Sequence, residues 1–288
     1  MSYVEISNEF LKAKIRLFGA ELASLTKTET EVEYIWQADP TVWQGSAPIL
    51  FPFVGKLNQG KFLYQTQSFE IAKHGFARNQ LFNLISQTAN KVTLGLSQND
   101  ETLTAYPFEF YLEVTFELVK NKMFVSYQVT NNSNTDMPFS IGSHPAFNLP
   151  AETMENAQCS LAFDAEENPD CYTLIQGLLS ESTQTSPIKN KCLPLTAGTF
   201  AKDALILRHI NSKEVSLIDA HEKQLLTMRF DVPHLGLWAK PNAPYVCIEP
   251  WFSTDDKASS PLELEEKEDL INLASKVVFD CQYEIEIY

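Results

Sequence analysis

The stretch FYLEVTFEL, residues 110–118, sets Phe110, Leu112, Val114, Phe116 and Leu118 on one side of the chain and Tyr111, Glu113, Thr115 and Glu117 on the other. A period of two belongs to an extended strand with one face in a core and one in solvent. The next segment, Met123 to Val129, repeats the alternation. The polar run Thr130 to Asp136 then supplies a loop before Met137 to Ile141, so the three segments read as a meander of neighbouring strands.

Working outward, the same texture covers the chain. Val4 to Ile6 and Lys12 to Leu17 read as an opening pair. Leu81 to Ser86, Val92 to Leu96, Leu205 to Leu207, Val215 to Ile218, Leu225 to Phe230, Tyr245 to Ile248 and Val277 to Ile287 read as further strands. Pro261 to Leu273 holds the best helix formers, and a short helix is expected there. Many strands without intervening helical patterns predict an all-β fold, a large antiparallel β-sandwich. With no internal repeat and no low-complexity linker, residues 1–288 are expected to form one domain.

A composition of 44% hydrophobic and 20% charged residues suits a chain that buries a large core. The formal net charge of −15 argues against nucleic acid or an anionic membrane surface as partner, because phosphate would be repelled. The longest nearly apolar run, Ala47 to Val54, contains two prolines and is too short for a membrane-spanning helix. Five widely spaced cysteines without a Cys-x-x-Cys pair fit reduced thiols, and the start of the chain lacks the features of an export signal. A cytoplasmic protein, monomeric or homodimeric, is expected.

Standard catalytic motifs are missing: there is no Gly-x-Ser-x-Gly elbow, glycine-rich phosphate loop or His-Glu-x-x-His helix. Three islands stand out instead: Lys73-His74-Gly75-Phe76-Ala77-Arg78, Gly142-Ser143-His144-Pro145-Ala146-Phe147-Asn148 and Cys247-Ile248-Glu249-Pro250-Trp251. Each sets a titratable group beside glycine or proline and a large ring. Gly and Pro impose unusual backbone paths, while a ring offers an apolar face to the C–H side of a sugar. Each histidine taken alone also reads as a core or loop residue bonded to backbone, and Glu249 as a carboxylate at a strand end.

The islands, in this order, with Phe51-Pro52-Phe53-Val54-Gly55-Lys56 upstream and Ala105-Tyr106-Pro107-Phe108 between, resemble the aldose 1-epimerase (galactose mutarotase) superfamily and within it the LacX-like branch. The resemblance runs from about residue 10 onward. It implies a galactose mutarotase-like β-sandwich and interconversion of the α and β anomers of a neutral aldohexose, without metal or other cofactor. It makes His144 the group that acts on the ring oxygen, Glu249 the group that acts on the anomeric hydroxyl, and His74 the second active-site histidine. Asp203 falls near the family's hydroxyl-gripping aspartate, though it also reads as a turn residue at a strand start. Lys56 stands where relatives often carry arginine, which replaces a planar fork by a point charge. Arg78 is a candidate to supply the fork instead, or a structural ion-pair residue. Trp251, Phe147 and Trp238 are candidate stacking faces.

Ring opening needs one proton taken from O1 and one given to the ring oxygen, so an ionised Glu249 and a protonated His144 suffice. Mutual attraction of the two charges is expected to lower the carboxyl and raise the imidazole pKa, giving a bell-shaped rate profile whose acid limb belongs to Glu249. The same residues also fit a sugar-phosphate 1-epimerase or a sugar-binding protein without turnover. A metal site from His74, His144 and Glu249 has no support in their spacing.

Overall fold

The computed structural model describes residues 2–150, 158–167 and 169–288. The fold is mostly β and its sheets are antiparallel. Tyr3–Ser7, Leu11–Arg16 and Glu21–Lys27 form a three-stranded sheet. A nine-stranded sheet runs in the order Cys192–Pro194, Cys159–Phe163, Glu214–Asp219, Gln224–Phe230, Val278–Ile287, Lys122–Asn131, Phe110–Val119, Lys91–Ser97 and Asn83–Gln87.

A second large sheet, of seven strands, holds Asp170–Tyr172, Leu205–Arg208, His234–Trp238, Tyr245–Trp251, Gly142–Ser143 and Ile49–Leu50 in that order, with Ala146–Asn148 also paired to Tyr245–Trp251. The inner faces share one core cluster, including Phe110, Val114 and Ile285 from the nine-stranded sheet and Leu207, Leu235 and Ile248 from the seven-stranded one. Phe51 meets Phe110 ring to ring at 5.0 Å, and the buried Tyr283 and Ser143 hydroxyls hydrogen-bond at 2.9 Å, tying the two sheets together.

Phe110–Val119 alternates buried and half-exposed positions along its length, as its sequence period requires. The meander needs correction. Lys122–Asn131 pairs with Phe110–Val119, but its other neighbour is Val278–Ile287, while Met137–Phe139 leaves the sheet to pair with Ile271–Leu273. Asn131 explains the departure: it is wholly buried, its side-chain amide donates to the Thr135 and Leu273 carbonyls, and its Oδ1 accepts from the Ser133 N–H. These bonds fold the intervening loop across the sheet.

The helix expected over Pro261 to Leu273 is a single 3-10 turn, Leu264–Glu266. Tertiary pairing of Ile271–Leu273 with Met137–Phe139 takes its last three residues. The α-helix found among the described residues, Asp100–Ala105, is started by Asn99, whose side chain accepts from the Thr102 N–H while the Thr102 hydroxyl accepts from the Asn99 N–H.

The alternation of the 110–118 stretch yields a paired expectation. Phe116→Ala, on the buried face, lowers stability by about 3–5 kcal/mol in urea unfolding, whereas Glu117→Ala on the outer face, losing only the exposed contact with Lys91, costs less than ~1 kcal/mol. Equal losses would mean that the face assignment of this strand is wrong.

Candidate active site

Register places the central pair. Gly142 pairs with Trp251 and Ala146 with Cys247, so the antiparallel register running through both pairs sets residue 144 opposite residue 249. Ladder pairing is interrupted between the two short strands. There the His144 N–H turns away to donate to the Pro48 carbonyl, and the Ile248 N–H reaches the Pro145 carbonyl. The imidazole that emerges at this gap has its Nε2 3.2 Å from Glu249 Oε2.

Glu249 lies in the middle of Tyr245–Trp251, a strand with every residue buried. Glu249 and Trp251 project to one face, two residues apart. The Trp251 ring lies over two glycines: a Cβ on Gly142 or on Gly236 would come within 2.7 Å of it. These contacts give a steric reason for the glycine that opens the Gly142-Ser143-His144 island.

The other islands converge on the same place. His74 has φ +68, its Nδ1 accepts from the Gly55 N–H, and its own N–H donates to the Gly55 carbonyl. Nδ1 is therefore the acceptor and Nε2 carries the proton in the neutral ring. Gly75 follows with φ +69, pressed so close to Phe51 that a Cβ would lie 2.2 Å from the Phe51 carbonyl oxygen. His74 and His144 meet edge to face at 5.8 Å between ring centres.

A cavity of about 210 Å³ joins His74, His144, Asp203, Arg78, Trp238, Glu249 and Trp251 with three residues that the motif reading did not assign, Trp43, Leu174 and Ala204, and with Lys73. Its size lies below the ~300–1,000 Å³ typical of ligand pockets, as suits one small molecule. Two expected lining residues are elsewhere. Phe147 is fully buried in the main core and does not line the cavity. Lys56 turns its ammonium to the Gln176 carbonyl, and its backbone N–H donates to Asp255 Oδ1.

Trp43 stacks on His144 at 5.0 Å and on Tyr245 at 5.6 Å, and Trp238 meets His144 edge to face at 5.8 Å. Trp43 stands beside Gly45, the same ring-beside-glycine pattern as the islands. Asp255 had no such signal. Its side chain is fully buried, Oδ1 faces the Lys73 ammonium at 3.5 Å, and Oδ2 has no hydrogen-bond partner.

Burial, rather than mutual attraction, governs the ionisation of the central pair. Desolvation pushes Glu249 well above the ordinary carboxyl range, Lys73 opposing this and the carboxylates of Asp255 and Asp203 adding to it. Desolvation pulls His144 down to about 3, with Lys73 and Arg78 contributing, and holds His74 well below its ordinary value. The expectation that each charge widens the other's range is thus overturned. With both groups out of water, a carboxylic acid beside a neutral imidazole is favoured, an arrangement that carries the same one proton as the ion pair.

Among the described residues, His144, Cys247 and Glu249 form the group of three metal-capable side chains whose donor atoms lie within 4.8 Å of one another. His74 is not in that group; its Nδ1 is occupied by the Gly55 N–H.

The family model for aldose 1-epimerase matches residues 2–253 of this chain. The plasmid-encoded protein LacX of Lactococcus lactis subsp. lactis is 33% identical over 297 aligned positions, which cover 99% of both chains. The structure of a galactose mutarotase related enzyme from Lactobacillus acidophilus superposes with a TM-score of 0.93 at 30% identity, covering 100% of this chain and 97% of that one. A galactose mutarotase-like protein from Lactobacillus casei gives 0.92 at 30% identity with both chains covered in full. No helix among the described residues is long and apolar enough to cross a membrane. The fold is galactose mutarotase-like, and the chain belongs to the aldose 1-epimerase family.

Proposed function

We propose that the protein is an aldose 1-epimerase acting on a neutral aldohexose, with Glu249 and His144 exchanging one proton with O1 and the ring oxygen. The observation that carries this reading is the 3.2 Å approach of Glu249 Oε2 and His144 Nε2 in the wall of a cavity the size of one small molecule. The resting pair holds one proton. A sugar hydroxyl that hydrogen-bonds the carboxyl favours its ionised form, and the proton then resides on His144. Glu249 takes the O1 proton, His144 delivers its own to the ring oxygen, and the C1–O5 bond opens to the aldehyde. Rotation about C1–C2 and the reverse transfers close the ring on its other face.

Trp43, Trp238 and Trp251 offer apolar faces to the ring, and Asp203, Lys73, Arg78 and the His74 Nε2–H offer polar contacts to its hydroxyls. A neutral sugar is favoured over a sugar phosphate because Lys73 faces the buried Asp255, leaving Arg78 as the cavity cation without an ion pair among the described residues. Polarimetry of fresh α-D-galactose, α-D-glucose and glucose 6-phosphate tests the choice: mutarotation of a neutral sugar is expected to be faster. A faster phosphate would overturn the substrate class, and binding without any acceleration would identify a sugar-binding protein.

Glu249→Gln and His144→Asn are each expected to lower the rate by about 10²–10⁴-fold while the protein stays folded and still binds sugar. Near wild-type turnover by Glu249→Gln would remove Glu249 from the mechanism.

The singly protonated pair is active, so the rate is expected to fall below pH values near the His144 pKa of about 3 and again where Glu249 loses its raised proton. The residual rate of Glu249→Gln then lacks the alkaline limb, opposite to what attraction between two charges would give. A raised folded-state pKa stabilises below the unfolded value and is lost as pH rises through the folded one. Glu249→Gln is therefore expected to melt above the wild type by a margin that grows as pH rises from the ordinary carboxyl range to the raised pKa of Glu249; a margin that shrinks would show that Glu249 is ionised in the sugar-free protein.

A further inference from the structure

Cys247 is drawn into no step of the reaction above, and it does not line the sugar cavity. It nevertheless lies two residues before Glu249 on the same strand, so both side chains project to one face, with His144 across the gap in the neighbouring strand. The three donor atoms, one sulfur, one nitrogen and one oxygen, all lie within 4.8 Å of one another.

The contact between His144 Nε2 and Glu249 Oε2 is close in distance at 3.2 Å, yet Oε2 makes no hydrogen bond, because the approach is poorly directed. Two ligands on one tetrahedral zinc, at its usual bond lengths of ~2.0–2.2 Å, stand about 3.3 Å apart. The pair is therefore spaced as metal ligands are. A thiolate on the same ion stands roughly 3.6 Å from each partner, so Cys247 needs to close by about 1 Å at most.

We propose that His144, Cys247 and Glu249 form a site for a zinc-like, thiophilic divalent cation that binds through the sugar cavity and blocks it. One thiolate, one carboxylate and one imidazole around a dication make a complex with no net charge, which a buried site tolerates far better than either anion alone. The fourth position faces the cavity, as in three-ligand zinc sites that keep a place for water. Binding displaces two protons, the one held by the Glu249–His144 pair and that of the Cys247 thiol, whose pKa burial has raised. Affinity accordingly increases with pH. A hard ion such as Mg²⁺, which demands six oxygen ligands, has no such set here.

The blocking of turnover rests on the epimerase reading, whereas cation binding does not, and the two are measured separately. Reduced protein titrated with Co²⁺ is expected to develop a thiolate-to-cobalt charge-transfer band at one equivalent, which Zn²⁺ abolishes and Mg²⁺ leaves unchanged. Cys247→Ser removes the band and weakens Zn²⁺ by at least about 10-fold. Glu249→Gln keeps the thiol but weakens Zn²⁺ similarly, which serves where the serine variant fails to fold. In polarimetry, Zn²⁺ inhibits the wild type competitively with sugar, and Cys247→Ser turns over sugar as before but resists the metal. The proposal is overturned if no charge-transfer band forms, or if the band survives Cys247→Ser and another of the five cysteines carries it. It is equally overturned if saturating Zn²⁺ leaves sugar turnover untouched. Absence of any turnover, with the band intact, would refute the epimerase reading and leave the cation site standing.

Discussion

The site depends on the burial of one carboxyl group in the middle of a strand that has no exposed residue. Glu249 is walled in by Gly236 on one neighbouring strand and by the gap at His144 on the other. A carboxylate isolated from water in this way would be held at a cost of several kcal/mol, so the group keeps its proton unless something supplies charge or hydrogen bonds. On the proposed reading a seated sugar hydroxyl would do so, tying the activation of Glu249 to the arrival of substrate. The interruption of pairing at His144 belongs to the same arrangement, since it lies directly opposite Glu249 in register.

Around this pair, backbone groups do much of the positioning. The Gly55 N–H fixes the tautomer of His74, and the next N–H, that of Lys56, binds Asp255. Gly55 itself cannot be replaced without collision, because a Cβ there would lie 2.4 Å from Asp255 Cγ. The Phe51-Pro52-Phe53-Val54-Gly55-Lys56 segment thus acts through its main chain on two islands at once. That explains why lysine at position 56 is accommodated without the planar donor of arginine: the side chain points away, to the Gln176 carbonyl.

Much of the architecture was legible because alternation is a local signal: Phe110 to Leu118 and Met123 to Val129 are strands with the faces expected. The partner of Lys122–Asn131 across the sheet was not legible, since it lies some 150 residues on and local pattern carries no address. Convergence on one cavity was legible where a titratable group sat beside glycine or proline and a ring, as at His74, His144 and Glu249. Trp43 carried the same pattern and was overlooked for want of a charged neighbour. Phe147 was misplaced because an island's aromatic has two faces to choose from, and only tertiary packing selects the core. The ionisation of the pair was misjudged for a related reason: attraction between two charges is visible in a sequence, whereas the loss of water from around them is not.

Val278–Ile287 occupies the centre of the nine-stranded sheet and follows every other strand of that sheet in chain order. Without it the sheet would be two part-sheets, each with an open edge of unpaired N–H and C=O groups, at Lys122–Asn131 and at Gln224–Phe230. Its pairing closes both edges at once and sets Tyr283 against Ser143, next to His144. The cavity wall and the two sheet edges are thus completed by the same long-range pairing, a contact whose loop-closure entropy is met before it is repaid.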